Sequence, residues 1–350
     1  MHPHHVSITH KTPVTIRRVL FSAALAFALG IPALDAASYH IAKTISVGGQ
    51  GGWDYLAVDP GSHRLFVAHA THMVVIDTQN DRVIGRIDDT PGVHGIAIDA
   101  ALGKGFTSNG RENTVGIVDL KTLKIGSRAA AGMNPDCIQY APPTDEVYAF
   151  NGRSGSATVI DAASGRVTAT IPLPGRPEFA QPDPVRARLY VNLEDKSELA
   201  VIEARRHEVI ARWPLAPGEH PTGLAFDAEH GRLFSGCANG CVEVVDASTG
   251  KVVATIPAGH GIDAVGFDPG TGLVFASNGR DGTLTIAHED GPDSYTVIQT
   301  LKTAVGARTL AVDPASHKVY LATAKFKDGK PGWKNIEPGT FEILVAELSP

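Results

Sequence analysis

Charge, cysteine and long apolar runs are all scarce in this sequence, and each scarcity narrows what the protein can do. Only 19% of the 350 residues are charged, and the formal net charge is −6. No basic stripe interleaved with aromatics occurs, so no nucleic-acid partner is expected. Three cysteines are too few for a disulfide scaffold. No stretch has the pattern of a long amphipathic helix. No apolar run reaches the roughly 20 residues of a transmembrane helix. A Gly-x-Ser-x-Gly elbow and a Cys-x-x-Cys-His haem site are both missing. The sequence therefore names no catalytic residue and leaves enzymatic activity open.

Glycine and proline are abundant instead, at 37 and 23 residues. That composition suits a chain of many short turns. With 43% hydrophobic residues, the chain can bury a large core without covalent staples.

The N-terminus reads as an export signal. Arg17-Arg18 give a positive start, Val19 to Ile31 is apolar and uncharged, and Ala33, Ala36 and Ala37 supply small residues for cleavage. Residues 1–36 are expected to be a signal peptide and 37–350 the mature domain, in the periplasm or secreted. The segment Thr15-Ile16-Arg17-Arg18-Val19-Leu20-Phe21 loosely resembles a twin-arginine signal, though an ordinary secretory signal fits better. No cysteine follows the apolar run, so no membrane anchor is expected after cleavage. His2, His4, His5 and His10 precede the signal and carry no weight. Further on, Cys237 and Cys241 flank Ala238-Asn239-Gly240, a tight-turn sequence, and could face each other bridged or free. Cys137 reads as a small buried apolar residue.

Seven repeats of about 42 residues fill the rest of the chain. Short alternating strands end at Asp59, Asp99, Asp183, Asp227, Asp268 and Asp313, with Ala141 in the third repeat. Seven residues beyond each stands an aromatic: Phe66, Phe106, Tyr148, Tyr190, Phe234, Phe275 and Tyr320. A shared register without a miss predicts a ring wedged between neighbouring units. Third strands such as Thr158-Val159-Ile160-Asp161 follow, then turns such as Ser248-Thr249-Gly250-Lys251 and an outer strand. A four-stranded unit cannot bury both faces alone, and radial packing solves this. The expectation is an all-β, seven-bladed propeller. The last repeat lacks a fourth strand, and Tyr39 to Val47 is expected to supply it and close the ring.

The strand–Asp-Pro–aromatic–strand pattern, the Val-Ile-Asp ends and the Thr/Ser-Gly-Lys/Arg-Val turns resemble the YVTN-type repeats of bacterial exported propellers. The resemblance spans about residues 39–350. It implies a surface-layer or ligand-binding propeller, and a few propellers of related shape are metal-dependent lactonases or lyases. The tetrapeptide itself is degenerate, as in Leu65-Phe66-Val67-Ala68, and a WD-repeat signature is absent.

Chemistry is expected at one mouth of the channel. Five residues before each strand end stand Asp54, His94, Asp136, Glu178, Thr222, Asp263 and Arg308. Carboxylates crowded on one axis repel unless a cation or a proton joins them. Asp54, His94 and Asp136 are therefore candidate ligands for a divalent metal ion, with backbone capping and pairing to Arg308 as the structural alternative. No other cofactor is indicated. His69 and His72 are expected beside Asp54. Asn109-Gly110-Arg111, Asn151-Gly152-Arg153 and Asn278-Gly279-Arg280 repeat one motif. Asn-Gly answers to a hairpin turn, but the arginine does not. Arg111, Arg153 and Arg280 are expected either to pair between blades or to hold an anion. An insertion from Lys325 to Thr340, carrying Trp333, is expected over the mouth as a lid or a disordered excursion. The expected function is non-enzymatic binding of a small molecule, metal or protein partner by a monomer. The alternative is a lactonase-like, metal-dependent hydrolase or lyase.

Overall fold

The computed structural model of the protein describes residues 1–5 and 38–349. The expected signal peptide falls, apart from residues 1–5, outside the described residues. No helix among the described residues is long and apolar enough to cross a membrane.

The chain folds into seven four-stranded antiparallel sheets arranged as a β-propeller. The innermost strands are Trp53–Asp59, Val93–Asp99, Pro135–Ala141, Pro177–Asp183, Pro221–Asp227, Ile262–Asp268 and Thr309–Asp313, which define blades 1 to 7. Blades 1 to 6 run outward in sequence order. In blade 7 the fourth place is taken by Tyr39–Ser46, which pairs with Glu342–Leu348 from Tyr39↔Leu348 to Ser46↔Glu342. The ring closes as the strand count required. Tyr39 also donates its hydroxyl to the His317 carbonyl at 2.8 Å and accepts from Gln299 of blade 6 at 2.7 Å.

The seven register aromatics are fully buried. Each packs with aliphatics of the next blade: Phe66 with Val93 and Ile96, Phe106 with Val147 and Ala149, and Tyr320 with Leu65 and Val67 across the closure. Burial of one such ring contributes roughly 1.5–3 kcal/mol, and the same contribution recurs at every seam. The strand-end aspartates turn the chain by accepting from an amide two or three residues on, as Asp183 does from Val185 at 2.9 Å and Asp99 from Leu102 at 3.1 Å.

One local irregularity positions the site. In blades 1 to 6 the inner strand breaks register near its start, between Trp53 and Leu56, Val93 and Ile96, Pro135 and Ile138, and their equivalents. Such a bulge re-aims the side chains it contains. Asp54, His94, Asp136, Glu178, Thr222 and Asp263 lie inside it, whereas Arg308 directly precedes the unbulged inner strand of blade 7.

Candidate functional site at the channel mouth

The bulges bring residues of separate blades together. His94 Nδ1 lies 2.6 Å from Asp54 Oδ2 and 3.4 Å from Asp136 Oδ1, joining blades 1, 2 and 3. Arg308 of blade 7 pairs with Asp263, stands 3.5 Å from Asp54, and donates to the Trp53 carbonyl at 2.8 Å. Glu178 meets Arg176 at 3.8 Å. Thr222 donates to the Ile262 carbonyl at 2.8 Å.

Burial and crowding set the charges. Burial pulls His94 down, but the Asp54 hydrogen bond and the charges of Asp136 and Asp54 outweigh it and lift it to about 9. His94 is thus an imidazolium at neutral pH. Burial raises Asp136 above the usual carboxylate range against the pull of His94. Burial, then the charge of Asp136, raises Glu178 to about 7. One ligand atom from each of Asp54, His94 and Asp136 lies within 4.8 Å of the others. Donors at such separations can share a divalent ion with bonds of about 2.0–2.2 Å. A protonated His94 fills the same electrostatic role.

A cavity of about 310 Å³ opens above this cluster, walled by Asp54, His94, Asn134, Arg111, Arg153 and Trp333, with Gly51 and Gly52 behind. Gly110 is required here, because a Cβ would lie 2.6 Å from His94 Nε2 and 2.9 Å from Asn134 Oδ1. The insertion does lie over the mouth. Trp333 is 61% exposed, sits 6.2 Å from Trp53, and carries the Arg308 guanidinium 4.9 Å from its ring centroid.

Other expected residues are placed elsewhere. Asn109, Asn151 and Asn278 are fully buried, and their amides donate to hairpin hydroxyls: Asn109 to Thr114 at 3.3 Å, Asn151 to Ser156 at 3.1 Å, and Asn278 to Thr283 at 3.0 Å. Their role is to anchor the turn that presents the following arginine. Arg280 is exposed but does not wall the cavity. His69 leaves the cluster altogether, buried and stacked on Phe341 at 4.3 Å. Cys237 and Cys241 pair across their hairpin and are both free and buried, as is Cys137. Sequence reasoning missed Trp53 and Asn134. Trp53 was findable as the one aromatic directly before a ring position, where the other repeats place Val93, Pro135, Pro177, Pro221, Ile262 and Ala307. Asn134 holds a left-handed turn at φ 56° and reaches Asp136 at 3.4 Å.

No protein-family profile matches the chain. The protein YncE of Salmonella typhi and that of Salmonella typhimurium strain LT2 are each 26% identical over 148 residues. That alignment covers 41% of this chain, and the chain spans 42% of the length of these relatives. Among solved structures, a chain of the Kuenenia stuttgartiensis hydrazine synthase superposes with a TM-score of 0.70 at 14% identity, over 78% of this chain and 93% of that one. U3-55K gives 0.74 at 12% identity, over 88% and 99%. The WD40 repeats of RRP9 give 0.74 at 12%, over 89% and 98%. At such identities these structures share the fold alone. The chain is a seven-bladed β-propeller with a weak, partial likeness to YncE.

Proposed function

We propose that this is an exported, periplasmic or secreted binding protein that holds a small ligand at the channel mouth between blades 7, 1, 2 and 3. The observation that carries this reading is the convergence of Asp54, His94, Asn134, Arg111, Arg153 and Trp333 on one cavity of about 310 Å³. That volume lies in the range of small-molecule pockets, and mixed charges beside an aromatic wall suit specific recognition. Non-enzymatic binding is favoured because the ring carboxylates already meet His94, Arg308 and Arg176, so their charge is balanced by side chains of the protein itself.

A metal-dependent hydrolase or lyase is the second reading, on the donor set of Asp54, His94 and Asp136. Elemental analysis of untagged protein, beside an Asp54→Asn/His94→Ala variant, separates the two. No metal, together with ligand-induced thermal stabilisation that the variant loses, is the outcome expected. Near-stoichiometric metal that disappears in the variant would overturn the binding reading in favour of the metal site.

A further inference from the structure

Charge at the mouth is unevenly matched. The ring carboxylates each face His94, Arg308 or Arg176. Arg111 and Arg153, at the same hairpin position of blades 2 and 3, are exposed and wall the same cavity. Neither guanidinium pairs with a carboxylate among the described residues. Forked donors left open in a cavity suit the paired oxygens of an anion.

A second chamber of about 150 Å³ adjoins the first and is mainly apolar, bounded by Phe326, Ile336, Trp53 and Trp333 with Arg308 at its edge. Trp53 and Trp333 wall both chambers. Trp53 is only 3% exposed, and its Nε1–H is buried without an acceptor. A buried donor of this kind is satisfied by a ligand oxygen and not by an ammonium, which has no lone pair to offer. Trp333 is held in place by an absence. A Cβ on Gly52 would lie 1.6 Å from its ring Cζ3. Gly52 does not adopt a left-handed φ, so its lack of a side chain serves the indole and not the backbone.

Resting on the reading that the mouth binds a ligand, we propose that the ligand is a small amphiphilic organic anion. Its carboxylate or phosphate is held by Arg111 and Arg153, and its flat apolar body lies against Trp333 and Trp53. Matched charge in the ring, open charge at the rim and a paired aromatic wall each select for one part of that molecule.

The indole N–H resonances of ¹⁵N-labelled protein provide the test. Trp213, half-buried on the outer strand of blade 4, is the internal reference for Trp53 and Trp333. Four probes at millimolar concentration are compared: 1-naphthoate, 1-naphthyl phosphate, 1-naphthylmethylamine and inorganic phosphate. Saturable shifts of Trp53 and Trp333 with the naphthyl anions alone are expected, and the tighter of the two identifies the head group. Arg111→Ala/Arg153→Ala should weaken binding at least about tenfold, because two charge-assisted contacts are lost. Gly52→Ala, which displaces Trp333, should weaken it with the arginines intact. Equal binding of the amine, of inorganic phosphate, or of the anions by the arginine variant overturns the inference, as does a complete absence of shifts with the anions. Amine binding that Asp54→Asn abolishes would keep the mouth as a binding site and sink only the proposed ligand class. Naphthyl probes of either charge that leave both resonances fixed would count against the mouth reading as well.

Discussion

His69 and His94 stand in the first two blades of one propeller, and the fold treats them in opposite ways. His94 is mostly buried between two carboxylates and is lifted to about 9. His69 is buried against Phe341, which is itself stacked on Trp53 at 5.6 Å. Burial, followed by the neighbouring His72, drives His69 down to about 4, and the Gly51 backbone offsets only part of that. Neither ring nitrogen of His69 completes a hydrogen bond of good geometry. Both rings are desolvated, yet they end about five units apart. Desolvation alone removes the charge, whereas desolvation beside carboxylates keeps it. The polar mouth and the aromatic wall behind it are thus two electrostatic regions built from the same residue type.

The strongest way to break the contrast is to remove the wall. Phe341→Ala deletes a fully packed ring and should cost about 3–5 kcal/mol in urea unfolding. It should also return His69 toward 6.5, and a His69 that stays near 4 in an NMR titration would show that Phe341 does not govern it. Acid is the next lever. A histidine depressed in the folded state costs nothing above its unfolded value, and stability is lost as pH falls from about 6.5 to about 4. The loss is at most about 3 kcal/mol, and His69→Phe should flatten that part of the pH–stability curve. His94 acts with the opposite sign. Its contribution is fully present below about 6.5 and is lost as pH rises through about 9. His94→Ala removes the imidazolium between Asp54 and Asp136, leaving only the Arg308 guanidinium, 3.5 Å from Asp54, to offset them, and should cost about 2 kcal/mol at neutral pH. A variant as stable as the parent would show that water screens the pair. The smallest effect is expected at Arg280, which repeats the motif but lies off the cavity. Arg280→Ala should change stability by less than about 0.5 kcal/mol and leave probe binding at the mouth intact.

Much of this could be read directly from the residues. The register of Phe66 through Tyr320 gave the seven seams, because an inter-blade wedge must recur with the repeat. The missing strand of the last repeat gave the closure by Tyr39–Ser46. The ring from Asp54 to Arg308 was legible because each member holds one fixed place before a strand end. The placement of Asn109, Asn151 and Asn278 was less so. A turn asparagine looks the same in sequence whether its amide points to a ligand or, as here, into its own hairpin.

The sequence by itself determined the architecture, since periodic burial and turn chemistry are local and repeat seven times. It also determined which chemical groups would stand around the channel. Only the tertiary structure decided which of them meet. The pairing of His94 with Asp54 and Asp136, the burial of His69 under Phe341 and the seating of Trp333 on Gly52 join residues 40 to 281 positions apart. Such contacts depend on how far each bulge turns a side chain and on which blade lies next to it in the closed ring, and neither is encoded within a single repeat.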